Sequence, residues 1–212
     1  MIINHDNPTY RQLWYGSNQK YNGAYYYSKE ITEIMIPLVN TDRNWITINI
    51  PGVGVNHSIV FIHNNLDPNR YKWLKAFDDL ILICGIPETV NKVKHLGKAI
   101  YLPLSVDVKE VEKYRTKKDK DVAYVGRSTK KFGKIPEGVQ CLENMPRHVL
   151  LREMARYKRV YAVGRTAIEA KVLDCRLLDY DPRFPDVKRW QVLDTRDAAK
   201  ILQAKIDEID KG

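Results

Sequence analysis

Apolar residues recur along the first hundred positions in two alternating rhythms. Residues 28–39 (SKEITEIMIPLV) place Ile31, Ile34, Met35 and Leu38 at a helical spacing, with Ser28 as the expected N-cap and Pro37 limiting the end. Residues 45–50 (WITINI) and 58–63 (SIVFIH) are rich in β-branched side chains and predict strands. Residues 67–77 predict a helix capped by Asp67, with Pro68 in its first turn. The continuous run 80–84 (LILIC) is what a strand buried on both faces of a parallel sheet requires. A helix over 87–96, stopped by Gly97, and a strand over 99–102 complete an alternation that predicts a parallel sheet covered by helices.

The rhythm breaks at 110–121 (EVEKYRTKKDKD), which is highly charged and lacks a sustained apolar face. Beyond it the alternation restarts: strand 122–125, a glycine-containing loop 126–138, strand 139–142, helix 146–157, strand 159–163, helix 165–173 and strand 176–179. Residues 196–209 predict a last amphipathic helix through Ala199, Ile201, Leu202, Ile206 and Ile209. The expected fold class is therefore α/β, built from two Rossmann-like parallel-sheet units. The expected division is 1–108 for the first unit, 109–121 for a charged connection, 122–195 for the second unit and 196–212 for a C-terminal helix.

Composition narrows the function classes. The 212 residues are 44% hydrophobic and 29% charged, which is globular rather than disordered. No apolar run approaches the ~20 residues of a membrane span, and the N-terminus MIINHDNPTYRQ lacks the basic and apolar regions of a signal peptide. The expectation is a cytoplasmic protein, of a bacterial or virus-infected cell, with no transmembrane segment. Cys84, Cys141 and Cys175 are widely spaced and form no CxxC pair, so they predict buried reduced thiols. His5, His57, His63, His95 and His148 show no HxxxH or HxH spacing, and no protein-ligated metal is expected.

The net charge of +9 becomes informative once it is located. Residues 1–112 hold 11 basic and 11 acidic residues, residues 177–212 hold seven and eight, and residues 113–176 hold 17 and seven. The excess is confined to the last of these stretches, where a localised positive field attracts diphosphates, nucleic acid or anionic lipid.

Two segments in that stretch could carry chemistry. Val125-Gly126-Arg127-Ser128-Thr129-Lys130-Lys131-Phe132-Gly133 follows a predicted strand, at the sheet edge where open α/β sheets bind ligands. Glycine admits backbone amides to an anion, and Arg127, Lys130 and Lys131 can neutralise a diphosphate. In 160–170 (VYAVGRTAIEA) a strand ends at Gly164 and a helix opens with Arg165 and Thr166, whose exposed N–H groups suit a phosphate. Glu169, in the first turns of that helix, can accept hydrogen bonds from a ribose diol, or instead complement the helix dipole or pair with Arg165.

The run VGRTAIEA, followed by a strand and the acidic DYD, resembles the donor-binding helix of retaining glycosyltransferases of the GT-B architecture, and VGRSTKKFG resembles that family's basic glycine loop. Leu102-Pro103-Leu104-Ser105-Val106-Asp107 is similar to the family's segment leading into its second domain. The resemblance covers about residues 80–181 and implies two units facing across a cleft, in a minimal, virus-encoded type of member. It implies that Gly126, Arg127, Lys130 and Lys131, with Gly164, Arg165 and Thr166, bind the diphosphate of a nucleotide-sugar donor, and that Glu169 binds its ribose. Arg127 and Lys131 would assist departure of the diphosphate as an acceptor hydroxyl attacks, with no metal or other cofactor required.

The family's paired glutamates are separated by seven residues, and the position eight before Glu169 is Tyr161. The turn after the helix, usually glycine followed by proline, is here Asp174-Cys175-Arg176. In the first half, His63 ends a predicted strand and can orient the acceptor or leaving group, and the tyrosine-rich 21–27 can form an acceptor loop. The acceptor itself is not encoded in any motif; modified DNA or another anionic acceptor is compatible with the charge. Two other readings keep the same residues: a non-catalytic nucleic-acid-binding α/β protein using 113–134 and the arginines of 146–157, and a degenerate glycosyltransferase-like partner subunit. Oligomeric state is not legible.

Overall fold

In the computed structural model, the described residues are 2–3, 23–47, 56–62, 68–126, 135–184 and 186–211. They fall into two compact units. One is formed by the described residues 2–3, 24–104 and 195–211, the other by Gly23 and Ser105–Asp194. The chain passes between them at Leu104–Ser105, inside the Leu102–Asp107 segment, and again at Asp194–Thr195.

The first unit holds a five-stranded sheet in the order β1 (Ile2–Ile3), β2 (Asn44–Ile46), β3 (Ser58–Ile62), β4 (Leu80–Cys84), β5 (Lys98–Tyr101). Strands β2 to β5 are parallel, and β1 pairs antiparallel with β2. Strand order follows chain order, so right-handed crossovers place the connecting helices on one face. A 3-10 segment, Pro68–Ala76, and α2, Pro87–Val93, fill that role: Tyr71, Leu74 and Val93 are buried with Ile46, Val60, Ile62, Leu80, Leu82 and Cys84.

The opposite face, carrying Trp45, Ile59, Phe61, Ile81 and Ile83, has to be covered by helices from elsewhere in the chain. Helix α1, Gly23–Glu30, continues as a π turn over Ile31–Met35 and a 3-10 turn over Ile36–Leu38. Tyr27 meets Phe61 edge-on at 6.2 Å, and Trp45 stacks on Phe61 at 6.2 Å. The last helix, α6 (Thr195–Lys211), packs on the π turn with Ala199, Leu202 and Ile206 buried. The C-terminal helix thus belongs to the first unit, although the second unit precedes it in sequence.

The second unit holds a fully parallel sheet in the order β7 (Gln140–Leu142), β6 (Lys120–Val125), β8 (Tyr157–Tyr161), β9 (Arg176–Leu178). Its helices are α3 (Val108–Glu112), α4 (Arg147–Met154) and α5 (Arg165–Val172). The α/β class with two parallel sheets agrees with the sequence reading.

Three local differences have physical reasons. Helix α1 starts before the predicted 28, so Ser28 is no N-cap; it is buried, and its hydroxyl shares a 2.5 Å hydrogen bond with that of Thr47. Strand β8 starts at Tyr157 rather than 159, because α4 ends at Met154 and Tyr157 and Val160 point into the core. The charged stretch 109–121 is built into the second unit rather than linking two units. Val111 is buried on α3, which packs on α5. Lys118 Nζ donates to the carbonyls of Ala155 (2.7 Å) and Leu173 (2.5 Å) at the C-terminal ends of α4 and α5, and Arg115 Nε donates to Val172 O at 2.7 Å. Cations at those ends complement the helix dipoles and satisfy orphan carbonyls.

Candidate functional site

The order β7-β6-β8-β9 creates a switch point in the second sheet. The chain leaves β6 toward β7 on one side and leaves β8 toward β9 on the other, so the two loops diverge at the carboxyl ends of adjacent strands. Open α/β sheets take ligands at such a switch point. Gly126 stands at one side of it, directly after β6, and Gly164 at the other, directly before α5. Gly126 of the first motif and Gly164 of the second therefore flank the switch point of one sheet.

Each glycine has a reason to be glycine. A Cβ on Gly126 would lie 2.7 Å from the Tyr124 hydroxyl oxygen and 3.0 Å from its Cζ. Gly164 adopts φ 66°, ψ −141°, which side chains strongly disfavour. It caps α5 without a side chain, so it contributes no side-chain acceptor to the first-turn amides; its carbonyl receives the N–H groups of Ala167 (3.1 Å) and Ile168 (3.3 Å).

Within α5, Arg165 and Glu169 are buried at 8% and 4% exposure, and Thr166 is half-buried. Glu169 Oε1 accepts from Arg165 Nε at 3.1 Å and from Arg147 Nη1 at 2.5 Å. Burial pushes the Glu169 carboxyl up, but Arg147 and Arg165 outweigh it and hold the group below the usual glutamate value. The cluster joins two guanidinium groups to one buried carboxylate and so ties α4 to α5. In the sequence Arg147 stands only among the arginines of 146–157, as part of a nucleic-acid-binding surface; nothing in its spacing reveals a partner 22 residues away.

Three tyrosines close the same end of the sheet. Tyr124 and Tyr161 are register partners on β6 and β8, and Tyr161 pairs with Leu178 on β9. Tyr180, two residues beyond Leu178, meets Tyr124 edge-on at 5.5 Å and Tyr161 edge-on at 6.0 Å. Tyr161 thus takes part in an aromatic cluster at the position where the glycosyltransferase pattern has a carboxylate. Next to it, the fully buried Asp181 carboxylate receives Arg183 through Nε (2.9 Å), Nη2 (2.6 Å) and the backbone N–H (3.0 Å). Burial raises the Asp181 carboxyl, and the Arg183 contacts overcome this to leave it lowered.

Arg127, Lys130, Lys131 and His63 lie outside the described residues. The cysteines are free thiols; burial pushes Cys84 up to about 12 and also raises Cys175. Among the described residues, no group of three His, Cys, Asp or Glu side chains gathers as a metal site, and no helix is long and apolar enough to cross a membrane. Compared with known proteins, the chain matches no family model, no curated protein and no solved structure.

Proposed function

We propose that the chain is a glycosyltransferase that binds a nucleotide-diphosphate sugar at the switch point of its second unit and transfers the sugar to a hydroxyl acceptor. The observation that carries the reading is the placement of Gly126 and Gly164 at the diverging ends of adjacent parallel strands. Two parallel-sheet units are also the components a GT-B-like enzyme is made from.

In this reading the diphosphate lies against the amides of Arg165 and Thr166, at the positive end of α5, whose first turns are fixed by the Arg147–Arg165–Glu169 cluster. Arg127 and Lys131, which follow β6 in sequence, neutralise the charge that develops on the leaving diphosphate. No side-chain nucleophile is needed: positioning and electrostatics lower the barrier, with the acceptor hydroxyl as attacking group. The first unit is proposed to hold the acceptor, with His63 at the end of β3 orienting it or accepting its proton. Modified DNA is one candidate acceptor.

A second reading, a nucleotide-binding module without transfer, is favoured by Tyr161 standing among Tyr124 and Tyr180 where a sugar-contacting carboxylate is expected. Release of nucleoside diphosphate from a panel of nucleotide sugars separates the two. Release that is lost in Arg127→Ala supports the transferase. Nucleotide binding without any release supports the module, and absence of both contradicts each.

A further inference from the structure

A cavity of about 290 Å³ opens at the other edge of the second sheet, beside the amino end of β6, and is lined by Thr116, Lys117, Asp119, Arg152 and Arg156. It is remote in the topology from Gly126 and Gly164, which follow the carboxyl ends of β6 and β8, and it does not depend on the donor-site reading.

Most cations of this unit are held within it. Lys120 pairs with Glu153, Arg159 with Asp121 at 2.5 Å, and Lys113 with Glu110 at 2.5 Å. Lys118 is fixed on helix-end carbonyls, and Arg147 and Arg165 on Glu169. Lys117 and Arg152 form no ion pair among the described residues, and both line the cavity. Arg156 is the third cation there and is already oriented: Asp119 receives its Nε (3.1 Å) and Nη2 (2.6 Å), and Glu153 its Nη1 (3.2 Å). Three of its five N–H donors are engaged in holding the plane of the guanidinium.

Arg156 is thus compensated by Asp119 and Glu153, the charges of Lys117 and Arg152 are left over in the lining, and the Thr116 hydroxyl is an additional donor. Lys117 and Arg152, brought together without ion-pair partners of their own, repel, and a dianion relieves that repulsion while accepting several charge-assisted hydrogen bonds. The planar donors of Arg152 and Arg156 match the oxygens of a phosphate, and Lys117 supplies a mobile point charge. We propose that this cavity is a phosphate-binding site, which takes the phosphate group of a phosphorylated ligand on Lys117, Arg152 and Arg156.

The test measures thermal stability of the full chain against inorganic phosphate, with ionic strength held constant by chloride. The variants are Lys117→Gln with Arg152→Gln and, as a control for diffuse charge, Lys158→Gln with Arg176→Gln, which removes the same net charge elsewhere. The expected result is stabilisation of the wild type and the control by phosphate, with apparent affinity weakened roughly tenfold or more in the Lys117/Arg152 pair. Repetition with glycerol phosphate and with a short single-stranded oligodeoxynucleotide identifies the source of the group. Loss of response in the Lys117/Arg152 pair to either supports the site, the first as a small phosphate ester and the second as a polymer backbone. No phosphate effect on the wild type, or an effect equal in the Lys117/Arg152 pair and the wild type, overturns the proposal.

Discussion

Arg147 Nη1 and Glu169 Oε1 stand 2.5 Å apart, joining the first turn of α4 to the middle of α5. Arg165 reaches the same oxygen from one turn earlier in α5, so a single buried carboxylate balances two arginines. This gives Glu169 a structural task independent of any ligand.

Glu169→Ala is accordingly expected to destabilise the second unit by about 3–5 kcal/mol, because both arginines lose this buried carboxylate partner. Urea unfolding of Glu169→Ala, Arg147→Ala and the double variant checks this: the two effects should be strongly non-additive. Additive effects would mean that the carboxylate and Arg147 are not coupled. The lowered Glu169 carboxyl also has a sign: its stabilisation is present above the unfolded value and is lost as pH falls through the lower folded value.

In the first unit, His57 Nδ1 lies 2.5 Å from Asp79 Oδ2 and its Nε2 lies 3.0 Å from Asp42 Oδ1. Asp79 also meets Arg43, which in turn holds Asp210 of α6 at 2.8 Å. Hydrogen bonding to Asp42 and then Asp79 raises the His57 value above its ordinary 6.5, against burial and the nearby Arg43. The stabilisation is therefore fully present below about pH 6.5 and is lost as pH rises through the raised folded value. The His57 side chain is 42% exposed, so solvent screening limits the effect to under about 1 kcal/mol. Chemical unfolding across that window should show the decline in the wild type and not in His57→Asn, which tolerates the positive φ of 53° at this position. A decline of equal size in His57→Asn would assign the pH dependence to another group.

Gly126→Ala should cost about 1–3 kcal/mol, since its Cβ meets the Tyr124 hydroxyl at 2.7 Å. Tyr124→Phe, which removes that hydroxyl, should recover part of the loss in the double variant. Thermal unfolding of the three variants measures it, and a Gly126→Ala change without cost would show that the end of β6 yields easily.

The strands were the most legible part of the chain. The run Leu80–Cys84 matches its prediction because a strand covered on both faces admits only apolar residues. Boundaries failed where local pattern and tertiary contact disagree: Tyr157 continues a helical pattern in sequence yet is held as a strand residue by pairing with Lys120. The charged 109–121 stretch reads as a linker in the sequence because its purpose lies in distant partners, the carbonyls of Ala155, Val172 and Leu173. Of the site, the glycines and the first turn of α5 were legible as motifs. Arg147 and the tyrosine cluster were not, since each depends on residues brought together only by the sheet order.

Because Glu169 is committed to two arginines, the donor-site claim is tested best through residues outside that cluster. Thermal shift of the wild type, Arg127→Ala and Thr166→Val against UDP, GDP, ADP and their sugars is the most direct measurement. The account predicts that at least one nucleotide stabilises the wild type and that both substitutions weaken the shift without altering the unliganded melting temperature appreciably. No stabilisation by any nucleotide, or a shift unchanged in both variants, would contradict a diphosphate bound between Gly126 and Gly164.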